Sequence, residues 1–280
     1  VLTYHTKYDV DIAKAVRGKL LQESAIRALV QNIASCDEVW VVSRGAGENL
    51  RSLGYEGDYI VMENGVDVPR GRVSDEAIAA ATGRYDLPQN VPVFLFVGRL
   101  MWYKGIRIIL DALKTLREKN VDFRMVFVGE GADGAEIRSY AEERKLSDRC
   151  FFTGAISDRE IIRAWYGRSN LFLFPSTFDT NGLVVREAAA SGTATVMIRN
   201  SCASEGVGDG RNGFCIEENA AAMAAKLEEL CRAPEVMQVV GENAQRELYV
   251  SWETAGQRAM ARYEGIKFIL ISPQELRVPD

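Results

Sequence analysis

The sequence predicts an α/β protein of two doubly wound domains, each a parallel sheet covered by helices. Three observations carry this. Strand-length apolar runs and helical patterns alternate through residues 1–66, stop, and resume from residue 91. Between them, residues 67–90 hold Pro69, Gly71, Gly83 and Pro88 among many charges, which is linker composition. The chain's 280 residues are enough for two separate cores.

In order, Val1 to Tyr4 reads as a strand and His5-Thr6 as the loop after it. A long helix is expected over Ile12 to Ser35, where Ala15, Leu20, Leu21, Ile26, Leu29, Val30 and Ile33 form an imperfect apolar stripe. Val39 to Ser43 is the next strand, Glu48 to Leu53 a helix, and Tyr59 to Met62 a strand ending in the turn signal Glu63-Asn64-Gly65-Val66-Asp67. The linker carries a short helix near Ser74 to Thr82. In the second domain, strands are expected at Val93–Val97, Phe123–Val128, Cys150–Thr153, Leu171–Phe174 and Ala194–Ile198. Helices are expected at Ile106–Glu118, Gly134–Lys145, Asp158–Tyr166, just after Gly182, and at Ala220–Cys231, Pro234–Leu248 and Trp252–Tyr263. The expected boundaries are 1–66, 67–90 and 91–265, with 266–280 a tail of no assigned role.

Composition narrows the function. A net charge of -5 argues against a general nucleic-acid binder. The five cysteines (Cys36, Cys150, Cys202, Cys215, Cys231) are scattered without a CxxC pair, which points to a reducing compartment and no zinc site. No apolar run approaches the roughly 20 residues that span a bilayer, so the expectation is a cytoplasmic chain. Lys7, Lys14, Arg17 and Lys19 read first as a solvated helix face, with peripheral contact to anionic lipid as the alternative.

The densest chemistry lies at Pro175-Ser176-Thr177-Phe178-Asp179-Thr180-Asn181-Gly182-Leu183 and the helix after it. A strand that ends in a loop and opens into a helix points unpaired N–H groups, near Gly182 and Leu183, at whatever sits above the sheet edge. That is an anion site. Asp179 and Glu187 flank it as acceptor-only carboxylates suited to hydroxyl-rich groups; the plainer alternative is that Asp179 caps the helix and Glu187 is solvated. The loop Gly98-Arg99-Leu100-Met101-Trp102-Tyr103-Lys104-Gly105 holds two cations five positions apart at another strand-to-helix turn. Arg99 as a planar fork and Lys104 as a point charge can converge on a pair of phosphates, or can simply be solvated. Gly129 and Gly131 end the next strand and Gly154 a further one at the same edge, either approached by a ligand or forming tight turns. His5, the single histidine, falls at a strand end facing the expected interdomain cleft, with a structural role as the alternative.

These stretches resemble the signature of retaining, nucleotide-sugar-dependent glycosyltransferases of family 4 (glycosyl transferases group 1), which have the GT-B fold of two Rossmann-like domains. In that family two acids separated by seven residues bracket a Gly-Leu/Val pair. The first, usually Glu and here the shorter Asp179, holds donor-sugar hydroxyls; the second, here Glu187, holds the nucleotide ribose. Arg99 and Lys104 fall on its diphosphate-binding positions, and Gly98, Gly129, Gly131 and Gly154 on glycines near the nucleotide. Tyr4-His5-Thr6 resembles its His-containing loop by the donor sugar, and Asn64-Gly65-Val66-Asp67 the close of its acceptor-side domain. The resemblance spans nearly all of residues 1–265. It implies that the start of the N-terminal domain is missing from this chain.

The expected activity is retaining transfer of a sugar from a UDP- or GDP-sugar to a hydroxyl of a lipid, glycan or small molecule. No cofactor and no metal are expected. Asp9-Val10-Asp11 has the spacing of a metal-binding Asp-x-Asp but runs straight into a helix, where acids near the N-terminus are ordinary. The alternatives are a nucleotide-sugar-binding module without transfer activity and a GT-B-like sugar-nucleotide epimerase.

Overall fold

The computed structural model describes residues 1–270, so most of the 266–280 tail lies outside the described residues. Two parallel sheets are present. The first has three strands in the order β1-β2-β3, with β1 (Leu2–Tyr4), β2 (Val39–Val41) and β3 (Ile60–Val61). Leu2 pairs with Val39 and Val41 with Val61. Its core is Tyr4, Ile33, Val39, Val41, Val42, Ala46, Leu50 and Tyr55.

The long helix expected over residues 12–35 is instead two, α1 (Tyr8–Ala15) and α2 (Lys19–Ala34). Val16 is extended and Gly18 sits at φ 98, a region open to glycine but costly for other residues. The Gln22 amide then donates to the Val16 carbonyl at 2.8 Å, satisfying an acceptor that the break exposes. α3 (Arg44–Ser52) starts earlier than its apolar pattern suggested, because Ser43 Oγ accepts the Ala46 N–H and so caps it.

After α4 (Asp75–Thr82), capped by Ser74, the second sheet is built from β4 (Val93–Val97), β5 (Arg124–Val128), β6 (Cys150–Gly154), β7 (Leu171–Phe174), β8 (Ala194–Ile198) and β9 (Phe214–Ile216). All its pairings are parallel, in the order β6-β5-β4-β7-β8-β9. Both faces are covered. Phe94, Phe96, Leu171 and Leu173 pack with Ile106, Ile109, Leu110 and Leu113 of α5 (Ile106–Glu118) and with Met223 and Leu227 of α9 (Ala220–Arg232). Val93, Leu95, Phe172 and Phe174 pack on the other face with Trp165 and Tyr166 of α7 (Arg159–Arg168) and Val185 and Ala188 of α8 (Leu183–Ala190). Each such fully buried Leu or Phe contributes about 1.5–3 kcal/mol relative to exposure. Burial on two faces is why these strands are apolar at every position.

β4 and β7 are neighbours in the sheet but not in the sequence: from β4 the chain proceeds outward to β6, returns to β7 and proceeds outward the other way. The crevice beyond the carboxyl ends of β4 and β7 is therefore a topological switch point, where ligands of open α/β sheets bind. The remaining helices are α6 (Gly134–Glu143), α10 (Pro234–Glu247) and α11 (Trp252–Leu270). α11 crosses back to the first sheet: Arg262 pairs with Glu38 at 2.6 Å, and the Tyr263 ring lies 4.9 Å from that of Trp40.

Candidate active site

Two loops meet at the switch point. Gly105, at φ 76, closes the loop after β4, and a Cβ there would lie 2.3 Å from the Pro175 carbonyl oxygen at the end of β7. Only glycine lets the two strand ends approach so closely. This contact brings the Lys104 side chain to Asp179. The Lys104 Nζ lies 2.5 Å from Asp179 Oδ1, and the fully buried Ser176 donates its hydroxyl to Oδ2 at 2.5 Å. Lys104 is only 8% exposed. Its Nζ also stands 5.7 Å and 5.9 Å from the ring centroids of Tyr103 and Phe178. A buried ammonium needs such partners, since removing one of a buried pair leaves an uncompensated charge.

The pair faces a cleft of about 320 Å³ between the two sheets, lined by His5, Asn64, Gly98, Lys104, Asp179, Gly182 and Leu183 among others. Asp179 does not cap the following helix. The N-cap of α8 is Gly182, at φ 62, with no side-chain cap. A Cβ on Gly182 would approach the Ala203 Cβ to 2.9 Å, so its place is fixed by packing as well as by conformation. The α8 terminus thus opens toward the cleft with its N–H groups uncovered by any capping side chain.

His5 is exposed at the rim. Its carbonyl accepts the Thr180 hydroxyl at 2.6 Å, while the Asn181 amide donates to the Val42 carbonyl at 2.7 Å and Lys7 Nζ to the Thr177 carbonyl at 3.0 Å. The signature loop is therefore tied to the first domain at three points. Arg99 is exposed and does not line the cleft, although its neighbour Gly98 does.

Gly129, Gly131 and Gly154 serve loop packing. A Cβ on Gly129 would fall 2.0 Å from the Gly98 carbonyl oxygen, and one on Gly131 would fall 2.3 Å from that of Leu100. The Gly129 N–H donates to the Gly154 carbonyl at 2.9 Å. These contacts stitch the loops after β4, β5 and β6 into one edge.

Glu187 occupies a second cleft of about 290 Å³, which shares Leu183 with the first and is also lined by Tyr166, Arg159 and Trp252. It is half-buried rather than a solvated helix residue, and Tyr166 donates its hydroxyl to Oε2 at 3.2 Å. Burial raises the Glu187 carboxyl above its ordinary value; the Tyr166 hydrogen bond and the Arg159 charge oppose this without cancelling it. Burial also pushes the Tyr166 phenol well up, reinforced by the Glu187 charge, so the phenol keeps its proton.

Sequence reading missed Ser176 and Tyr166. Both act through buried hydroxyls, and neither a Ser in a loop nor a Tyr on an apolar helix face carries a periodic signal for that role. The one available cue was Ser176's place in the short loop from the end of β7 to Asp179, three residues before that acid. Among the described residues, no group of three or more His, Cys, Asp or Glu is placed to hold a metal ion, and no helix is long and apolar enough to cross a membrane.

Residues 80–247 match the family model described as "Glycosyl transferases group 1". The chain is 23% identical over 266 residues to alpha-monoglucosyldiacylglycerol synthase of Streptococcus pneumoniae, covering 93% of this chain and 59% of that protein. It is 29% identical over 265 residues to D-inositol 3-phosphate glycosyltransferase of Streptomyces avermitilis, covering 90% and 57%. The chain thus spans less than two-thirds of the length of these relatives. Among solved structures, Anabaena HepE in complex with UDP superposes with a TM-score of 0.80 at 19% identity, covering 94% of this chain and 72% of that one. Sucrose-phosphate synthase of Thermosynechococcus elongatus superposes at 0.78 with 24% identity, covering 95% and 67%. Both resemblances are of fold, and they agree with a GT-B arrangement of two Rossmann-like sheets; with the family model matched from the linker to α10, the chain belongs to the glycosyl transferases group 1 family.

Proposed function

We propose that the chain carries the donor site of a retaining glycosyltransferase, which moves a sugar from a nucleotide-sugar donor to a hydroxyl acceptor. The observation that carries this is the Lys104–Asp179 pair at the switch point, beside the uncapped N-terminus of α8. The bond between the anomeric carbon and the diphosphate must break, and the charge that develops on the departing oxygens is where stabilisation accelerates the step. Lys104 and the N–H groups at Gly182 and Leu183 meet that charge, and Arg99, exposed beside Gly98 and outside the cleft lining, would have to turn inward to add its own. These groups supply positive charge without a metal. Asp179, held by Ser176, takes donor-sugar hydroxyls, and His5 lies across the cleft to orient the sugar. Glu187 holds the ribose in the adjoining cleft. The acceptor oxygen bonds to the anomeric carbon on the face the diphosphate leaves, and its proton passes to that diphosphate. HepE, which shares the fold, has been crystallised with UDP, and the relatives' names are of glycosyl-transferring enzymes; both support a nucleotide-sugar donor.

For the acceptor we propose a molecule at a lipid surface. At the start of α2, Leu20 and Leu21 are 78% and 64% exposed, flanked by Arg17 and Lys19. This suits peripheral contact from the cytoplasmic side.

The test is donor turnover. With UDP- and GDP-sugars, release of nucleoside diphosphate is expected from this chain, falling at least about 100-fold in Lys104→Ala. A new sugar nucleotide in place of diphosphate would identify an epimerase, and binding without turnover a binding module. Undiminished turnover in Lys104→Ala would remove the charge-stabilising role.

A further inference from the structure

Tyr166 lines the Glu187 cleft, and its placement is fixed from several sides. It is 1% exposed, its ring packs edge-on against Phe172 at 5.5 Å, and its carbonyl accepts the Thr193 hydroxyl at 2.8 Å. Its hydroxyl has one proton to give and two acceptors within reach, Glu187 Oε2 at 3.2 Å and the Val184 carbonyl at 3.3 Å. Both lie on α8, one turn apart. The phenol therefore reaches from α7 across to α8, the helix that carries both the open N-terminus at the cleft and Glu187.

A glutamate has three rotatable side-chain bonds, and a half-buried one without a partner would turn its carboxylate toward solvent. Here a rigid ring with two torsions holds one oxygen, which leaves the other for a ligand. We infer that Tyr166 is a positioning residue for the nucleotide ribose: it fixes the Glu187 carboxylate so that the vicinal ribose hydroxyls are recognised, and it sets the preference for ribose over a sugar lacking those hydroxyls. This rests on the donor reading of Glu187.

The experiment is calorimetric titration of the whole chain with UDP and GDP, each against its 2′,3′-dideoxy counterpart, in wild type, Tyr166→Phe, Glu187→Ala and the double variant. Phe keeps the ring and its packing, and thermal unfolding checks that each variant is folded. In wild type, the preferred ribonucleotide is expected to bind roughly tenfold or more tightly than its dideoxy form, as for a hydrogen-bonded charged group. Tyr166→Phe should lose most of that ratio while leaving dideoxy binding within about twofold, and should add nothing in the Glu187→Ala background.

Four results overturn the inference in different ways. A full ribose ratio retained in Tyr166→Phe, with Glu187→Ala losing it, removes Tyr166 and leaves the donor reading intact. Equal losses for both sugars, additive with Glu187→Ala, mean that the phenol only supports the fold. No ribose preference in wild type, or one that survives Glu187→Ala, overturns the donor reading of Glu187 and this inference with it. A Tyr166→Phe chain that does not fold makes the hydroxyl structural, and overturns the inference also.

Discussion

Lys104, Asp179 and Glu187 were each legible as charged residues at strand ends or near a helix start, but their states were not. Sequence spacing suggests two separate roles for Lys104 and Asp179; the structure joins them in one ion pair with Ser176 as third member. The reason is the close approach of Gly105 to Pro175, a contact across 70 residues that no local pattern encodes. Glu187 shows the same limit, since its raised carboxyl value comes from burial beneath α7. The sign of its effect on stability follows. A folded-state value above the ordinary 4.5 means the native chain holds the proton more tightly than the unfolded one. The Glu187 contribution is therefore fully present below about 4.5 and is lost as pH rises through the raised value. Glu187→Gln, which cannot ionise, should gain thermal stability relative to wild type as pH climbs through that window, with no gain at pH 4. Melting curves of both across pH 4 to 8 measure this; a constant difference would mean that Glu187 ionises freely.

Among the elements, those most legible in the sequence were the strands β4, β7 and β8 and the helix α5, whose observed limits equal the expected ones. Their composition is dictated by two-sided burial, so pattern and packing agree. β9 was not expected: it is three residues, Phe214–Ile216, set after Gly213 and dependent on β8 for its pairing. The break between α1 and α2 was missed because the apolar spacing continues through it, while the backbone at Val16 and Gly18 does not. That break has a functional side. It begins a new helix at Lys19, which leaves Leu20 and Leu21 on an exposed first turn with Arg17 and Lys19. If this turn meets a lipid surface, the chain should sediment with vesicles of anionic phospholipid and less with neutral ones. Leu20→Ser with Leu21→Ser should cut that binding about tenfold or more, given roughly 1.5–3 kcal/mol for burying one leucine. Equal sedimentation of wild type and variant would count against the contact.

At the scale of the molecule, the two sheets are joined by more than their linker. Glu205, after β8, accepts the N–H groups of Arg44 and Gly45 at 2.7 Å and 2.6 Å, placing a carboxylate on the N-terminus of α3. Arg186 of α8 pairs with Glu63 at 2.7 Å. A carboxylate that accepts two backbone donors holds them by about 1.5–3 kcal/mol, as for hydrogen bonds to a charged group. Glu205→Ala should therefore speed hydrogen exchange at the Arg44 and Gly45 amides by about tenfold or more, while amides of β4 and β7 keep their protection. Unchanged exchange at the two sites would show that solvent or another group already serves them.

The return of α11 to the first sheet has a consequence for how the chain is made. β1 to β3 are synthesised before β4 to α10, but Arg262 and Tyr263, which pair with Glu38 and pack tilted against Trp40, follow α10. By then β4 to α10 have emerged and can complete their own core. Although domains generally fold in order of synthesis, here the sheet that is made earlier is packed by a helix made later, so Trp40 and Glu38 meet Tyr263 and Arg262 only after β4 to α10 have been translated.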